Sequence, residues 1–556
     1  MNRPMRIGIV LASALAILAP LVLVVWQSFL DGPFFARNVH PTLGAYQFVF
    51  EDPDFYRALG NSVLVAAGMT LIAVPVGALL AFLLVRTDLP GRRWMEPLIL
   101  TPMFISSIVL AFGFVVAFGP VGVVSLWVKG WAGTLPWDLY SRTSLILIAG
   151  LTHAPHVFLY AATALRSLGS DVEEAARSMG AGPLRVAATV SLPMIRPALL
   201  YAGVLVFFLG FELFGLPLVL ADPQGELVLA TYLYKLTNVL GIPSYQLMAV
   251  VVMVIVAIAV PLVALQNRLL QGANRYVSIQ GKAQSSRPIA LGVWRWPATA
   301  LIALWLFTVV VAPVCALVLR AFVSSWGEGV DLAGALTVDH FRDLARYPNL
   351  MRGITHTLLL AAVGGAASVA VYTLINLAVH RWRSAWARVV DSLVLLPRAM
   401  PGIVAGLAIF WVFLFFPPLR PFRQTLLALW VAYTLVWMAY GMRLVSSSLL
   451  QIGPELEEAG RVVGASASRV SWDVTLPLIR AGLLGSWMLV FVTFAREYST
   501  GVYLLGPGTE VIGSLLVSLW AAGAVDTVVA LSVINIAIIG GGLLLLALFG
   551  RKAHHG

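Results

Sequence analysis

The residues best placed to do chemistry are ionisable side chains set inside long apolar runs. Glu212 stands in Phe211-Glu212-Leu213-Phe214-Gly215-Leu216-Pro217, Arg496-Glu497 holds nearly the same place in the second half, and Arg398 follows Pro397. A charge at membrane depth costs on the order of a few kcal/mol, so such residues are expected to line or gate a path for a polar solute. The structural alternative is pairing between helices or a place at a helix end, and Arg398 divides between a helix entry and a cavity cation. His153 and His156 flank Pro155 and could hold a metal as an i, i+3 pair. Trp437 and Tyr440 occupy the matching positions of the second half and no carboxylate cluster adjoins, so we expect packing at a proline bend and no metal. No convergent set of nucleophile, base and acid stands out, so catalysis by this chain is not expected. Nor is there a phosphate-binding loop: Gly281-Lys282-Ala283 lacks the first glycine, where Tyr276 stands, and the hydroxyl after the lysine.

A second set of residues suits binding rather than reaction. Glu174-Ala175-Ala176, Gly180 and Val190-Ser191-Leu192-Pro193 recur as Glu458-Ala459-Gly460, Gly464 and Val474-Thr475-Leu476-Pro477, every position displaced by 284. Ser170-Asp171-Val172-Glu173 reads as a capping box that opens a short helix at Asp171, and Gly453-Pro454-Glu455 puts proline at the first helical position of the other copy. Val172, Ala175, Ala176 and Met179 form an apolar stripe, as do Leu456, Ala459, Gly460 and Val463, with small central residues that let another surface approach. Gly180 and Gly464 end these helices, and a second short helix follows in each copy up to Leu192-Pro193 and Leu476-Pro477. A single element of this kind could lie on the membrane surface. Duplication in register favours protein docking.

The elements that position these residues are membrane helices. Of 556 residues, 60% are hydrophobic and 11% charged, and the mean hydropathy is +0.91. Runs long enough to cross a bilayer recur about twelve times: 8–30, 60–85, 97–118, 144–165, 196–220 and 245–266, then 294–322, 354–379, 390–415, 424–449, 479–505 and 523–549. The first run is too long for a cleaved signal peptide and reads as a retained helix. The net charge of +11 gathers in alternate short loops, among them Arg86, Arg92 and Arg93; Arg177 and Arg185; Arg381, Arg383 and Arg388; Arg461 and Arg469. This distribution places those loops and both termini in the cytoplasm and speaks for membrane orientation, not for nucleic acid. Cys315 is the only cysteine, which excludes internal disulfides and thiolate clusters.

The repeat reaches beyond the docking motif. Asn61-Ser62-Val63-Leu64 aligns with His356-Thr357-Leu358-Leu359 and Pro102 with Pro397 at a displacement of 295, while Pro223 to Glu226 aligns with Pro507 to Glu510 at 284. The change marks extra residues between the third and fourth helices of the first half. An even number of helices per half makes the copies parallel, related by an axis along the membrane normal. The expected fold is an all-α membrane protein of two six-helix repeats, with domains at 1–266 and 297–556 joined by a cytoplasmic linker, 267–296.

At these motifs the chain resembles the permease subunits of bacterial binding-protein-dependent ABC importers, with Val190 and Val474 in place of isoleucine and Gly460 in place of the second alanine. The resemblance covers essentially the whole chain. It implies a type I importer permease fold in the bacterial inner membrane and a coupling role for Glu173, Glu174, Ala175, Ala176, Gly180, Leu192, Pro193, Glu457, Glu458, Ala459, Gly460, Gly464, Leu476 and Pro477. It also implies two copies of a cytoplasmic ATP-binding subunit, one per motif, that hold the ATP and Mg, so that this chain binds no cofactor, and an extracytoplasmic solute-binding protein that delivers the cargo. Two fused permease domains resemble the ferric-iron importers, and also the thiamine and aminoethylphosphonate ones; the segments around Glu212 and Glu497 look most like the iron branch, with polyamine importers a further alternative. A twelve-helix transporter driven by an ion gradient would explain the symmetry but not the paired docking loops.

Overall fold

A computed structural model describes residues 3–167, 171–238, 244–276, 288–382, 384, 386, 393–394, 400 and 402–553. Nine helices among them are long and apolar enough to cross a membrane, and two bent pairs, Ala187–Met194 with Arg196–Glu212 and Leu426–Val436 with Met438–Leu449, raise the number to eleven. These correspond to eleven of the expected runs; the shorter apolar helix Gly402–Phe415 falls in the twelfth, 390–415, most of whose residues before Gly402 lie outside the described residues.

The apolar runs extend past the helices in three places. The 97–118 run divides into Arg92–Phe104 and Ser107–Phe118. The 196–220 run breaks after Glu212, where Leu213 turns to an extended conformation before a short helix, Gly215–Leu220. The 479–505 run stops at Ala495 and continues as an irregular segment. Apolar composition reports burial in lipid or protein, not backbone path, and it does not detect such breaks.

Contacts divide the chain into two compact units that cut across the sequence halves. In the unit made of Phe50–Lys235 and Ala257–Val338, the helix Pro53–Arg86 packs along Arg142–Ser167 and Arg196–Glu212. Small residues permit this: a Cβ at Gly77 would come within 2.6 Å of the Ala154 carbonyl, and one at Gly210 within 2.6 Å of Ala66. The helix Ala312–Ala321, from the beginning of the second half, lies against Ser107–Phe118 in this same unit.

The other unit comprises Met1–Val49, Leu236–Val256 and Asp339–Gly556. Here Gly365–Val379 packs on Met438–Leu449 and Leu476–Ala495, and the N-terminal helix Arg3–Ser28 lies against Gly402–Phe415. Trp411, Tyr372, Tyr433 and Phe494 fill its core, and the Tyr372 hydroxyl donates to the Thr434 carbonyl at 2.7 Å. The 284 and 295 displacements thus describe the duplication, whereas each compact unit takes the first helix of the opposite half.

Candidate functional site

The two Glu-Ala repeats fold alike. In the first, a helix spans Asp171–Ser178, opening at Asp171 as the sequence implies; Ser170 lies outside the described residues, as do the side chains of Val172 and Arg177. In the second, Gly453 is the extended N-cap and Pro454 begins the helix Pro454–Val462. Gly180 and Gly464 then adopt φ of +84° and +85°. Beyond them the Ala181 N–H donates to the Ala176 carbonyl and the Ala465 N–H to the Gly460 carbonyl, each at 3.1 Å. Six-to-one bonds closed around a left-handed residue satisfy carbonyls that the helix end would otherwise leave open. Both glycines are required by this geometry, since an L-residue in the left-handed region costs about 1–2 kcal/mol.

The Leu-Pro part of the motif has its own structure. After the short helices Pro183–Val186 and Ala467–Val470, the chain widens into single π turns, Ala187–Ser191 and Ser471–Thr475. Leu192 N–H donates to the Ala187 carbonyl and Leu476 N–H to the Ser471 carbonyl, five residues back. Proline follows each leucine, and its ring conflicts with the carbonyl four residues earlier in a regular helix; the widened turn carries the chain past that conflict. Leu192 and Leu476 are half-buried, and Pro193 and Pro477 are exposed.

Neighbouring glutamates part company at this point, because successive helical residues project about 100° apart. Glu174 and Glu458 are exposed, together with Ala175 and Ala459, and Met179 and Val463 are each 83% exposed. Ala176 and Gly460 are half-buried. Each element therefore presents an acidic, small and apolar face. Glu173 and Glu457 turn inward. Glu173 is 2% exposed; its Oε1 lies 3.3 Å from Arg86 Nε and accepts from Ser191 Oγ at 2.7 Å. Glu457 lies 3.0 Å from Arg381 Nη1, accepts from His380 Nε2–H at 3.2 Å, and is met by the Thr475 hydroxyl at 3.4 Å. Burial pushes the His380 imidazole below its ordinary range, partly opposed by Glu457, and Arg6, Arg381 and Arg461 add positive charge around it.

Arg381 has φ of +51°, uncommon for a residue with a side chain, and its guanidinium is held on both sides, by Glu457 and by the Ile452 carbonyl at 2.9 Å. The sequence signal for these anchors is the repeat itself: Arg381 follows Arg86 by 295, and Glu457 and Thr475 follow Glu173 and Ser191 by 284. Charge in a loop does not reveal that its guanidinium is paired with a buried carboxylate, which is why Arg86 and Arg381 read as orienting charges alone.

The membrane-depth residues fall at breaks. Glu212 is the last residue of Arg196–Glu212 and is half-buried. Glu497, 7% exposed, accepts at Oε1 from the N–H and hydroxyl groups of Ser499 and Thr500, and at Oε2 from Trp437 Nε1 at 2.9 Å. Arg496 lies over the Trp437 ring at 5.7 Å. Arg398 is outside the described residues. His153 and His156 stack at 5.4 Å with Nδ1 of His153 on the Ala149 carbonyl, and no group of three potential metal ligands occurs among the described residues.

Comparison with known proteins gives a consistent relationship. The family model described as "Binding-protein-dependent transport system inner membrane component" matches residues 73–275 and again 375–553. A probable ABC transporter permease protein, y4fN, of Sinorhizobium fredii is 25% identical over 463 residues, covering 80% of this chain and 79% of its own length. The ferric transport system permease protein FbpB of Actinobacillus pleuropneumoniae is 23% identical over 522 residues, 91% of this chain and 72% of its own. The putrescine transport system permease protein PotI of Escherichia coli is 25% identical over 260 residues, 46% of this chain and 89% of its own. With both repeats matched in one polypeptide, the chain belongs to the binding-protein-dependent transport system inner membrane component family and is a fused, two-domain ABC transporter permease.

Proposed function

We propose that this chain forms the translocation path of an ATP-driven importer in the bacterial inner membrane, with both termini and both Glu-Ala elements in the cytoplasm. Each element docks one copy of an ATP-binding subunit, which carries the ATP and Mg, and a solute-binding protein delivers the cargo from outside. The observation that supports this most is the paired exposed face: Glu174, Ala175 and Met179 in one copy, Glu458, Ala459 and Val463 in the other, each ended by a glycine at nearly the same positive φ. An exposed apolar patch of this kind suits a protein or a membrane surface, and its duplication in register favours a protein partner.

The test is co-purification with the ATP-binding subunit of the transporter. Ala175→Glu with Ala459→Glu, which leave the buried anchors intact, should reduce recovery of that subunit by about tenfold, each added charge being worth about 1–3 kcal/mol when desolvated without a partner. Undiminished recovery would remove both faces from the docking surface.

Ferric iron is the cargo we favour, supported by the length over which a ferric transport relative aligns. A polyamine is the second reading, supported by the putrescine relative, which aligns over about half of the chain. Glu212, Arg496 and Glu497 then belong to the path or its gate, with Arg398 a further candidate. Uptake of radioactive iron and of putrescine by reconstituted transporter with its binding protein separates the two.

A further inference from the structure

The buried glutamates do something the exposed faces cannot. Arg86 is the last residue of Pro53–Arg86, and Arg381 stands just beyond Pro348–Val379, one continuous span of 32 residues, so in each half one long helix ends on a guanidinium. That guanidinium pairs with the glutamate on the inner side of the short helix, at 3.3 Å for Arg86 with Glu173 and 3.0 Å for Arg381 with Glu457. A hydroxyl from the π turn closes each cluster, Ser191 at 2.7 Å and Thr475 at 3.4 Å. Three chain segments therefore meet at one carboxylate, twice, at matched sequence positions. The exposures of Arg86 and Glu173, 3% and 2%, remove the first cluster from solvent screening, and a pair in that setting is costly to open.

The backbone adds a further tie in the first half. Ile289 N–H donates to the Arg86 carbonyl at 2.8 Å, and Asp88 N–H donates to the Ile289 carbonyl at 3.2 Å. The far ends of the same long helices are also fastened. Asn61 Nδ2 donates to Glu226 at 2.9 Å and Ser62 Oγ accepts from Leu229 N–H at 2.8 Å; in the other half Arg352 pairs with Glu510 at 2.8 Å and Thr357 Oγ1 accepts from Ile512 N–H at 2.9 Å. Each helix is held at both ends, by the Glu-Ala element at one and by the loop after the broken span at the other.

We propose that Arg86–Glu173–Ser191 and Arg381–Glu457–Thr475 are mechanical clasps: positioning residues that convert movement of a docked element into movement of the long helix, and so tie ATP hydrolysis to opening of the path. This rests on the docking reading above. It differs from that reading in what it requires of the buried side chains, which face away from the partner.

The experiment uses the complete transporter with its ATP-binding subunit and solute-binding protein in proteoliposomes. Glu173→Gln with Glu457→Gln should leave recovery of the ATP-binding subunit unchanged while cargo imported per ATP hydrolysed falls by about tenfold. The exchange Arg86→Glu with Glu173→Arg should recover part of that ratio relative to Glu173→Arg alone. Ser191→Ala with Thr475→Val disturbs the fold least and should lower the ratio by about threefold, so the test stands even where the glutamine variants fail to accumulate. An unchanged ratio in the hydroxyl variants, together with no recovery in the exchange, overturns the clasp. Loss of subunit recovery in the wild type would instead defeat the docking reading.

Discussion

At the scale of single residues, adjacent glutamates with the same composition around them have opposite consequences. Glu174→Ala removes an exposed charge and should change thermal stability by no more than about 0.5 kcal/mol. Glu173→Ala leaves the Arg86 guanidinium buried without its carboxylate and should cost about 3–5 kcal/mol, seen as a lower melting temperature of the detergent-solubilised protein. The second clasp also carries a titrating group that the first lacks, since Val85 stands where His380 would be. The folded state holds His380 neutral, mainly through desolvation, so its pKa lies below that of the unfolded chain. Unfolded chains then bind the proton first as pH falls: the contribution is full above about 6.5 and declines as pH drops from there toward the depressed folded value. Melting temperature should therefore fall between pH 7.5 and 5.5 by more in the wild type than in His380→Gln, and equal falls would show that His380 does not report on the clasp.

At the scale of elements, the sequence was most informative where backbone demands are absolute. Gly180 and Gly464 announced helix ends, and both are found in the left-handed region. Gly180→Ala should cost about 1–2 kcal/mol and weaken the element without touching its exposed face, a change that hydrogen exchange at Ala181 would detect. Pro193 and Pro477 announced the hand-over to the membrane spans, but not the π turns that precede them, because a proline restricts the ladder without stating how the chain relieves the conflict. A helix end at Glu212 and Arg496 is one of the readings their charge leaves open, but the irregular path beyond them is not legible, for a related reason. Leu213 to Leu220 and Val502 to Leu505 are apolar whether helical or not, and hydropathy sees only that. The clasps were hidden because each Arg–Glu pair, fully buried only in the first half, joins residues 87 positions apart in one half and 76 in the other, distances over which no local period operates.

At the scale of the molecule, duplication and compactness follow different lines, and the difference can be tested. The two matched family segments lie one in each half, yet Arg3–Ser28 packs on Gly402–Phe415, and Ala312–Ala321 packs on Ser107–Phe118. Gly113 allows the second of these approaches, since a Cβ there would stand 2.9 Å from the Pro313 carbonyl. Each half thus completes its packing with the other's first helix, and the peptide connection is not what those contacts depend on. Residues 1–276 and 288–556 expressed as two chains should still co-purify through a tag on one of them, with uptake retained; the second fragment keeps Ile289 and its bonds to residues 86 and 88. Removing residues 1–30 from the first fragment leaves Gly402–Phe415 without its neighbour and should reduce recovery of the partner fragment several-fold, because small-residue and van der Waals packing, rather than a hydrophobic driving force, holds helices together in lipid. If the intact fragments fail to associate, the connection itself is essential and the exchanged helices do not suffice to join the halves.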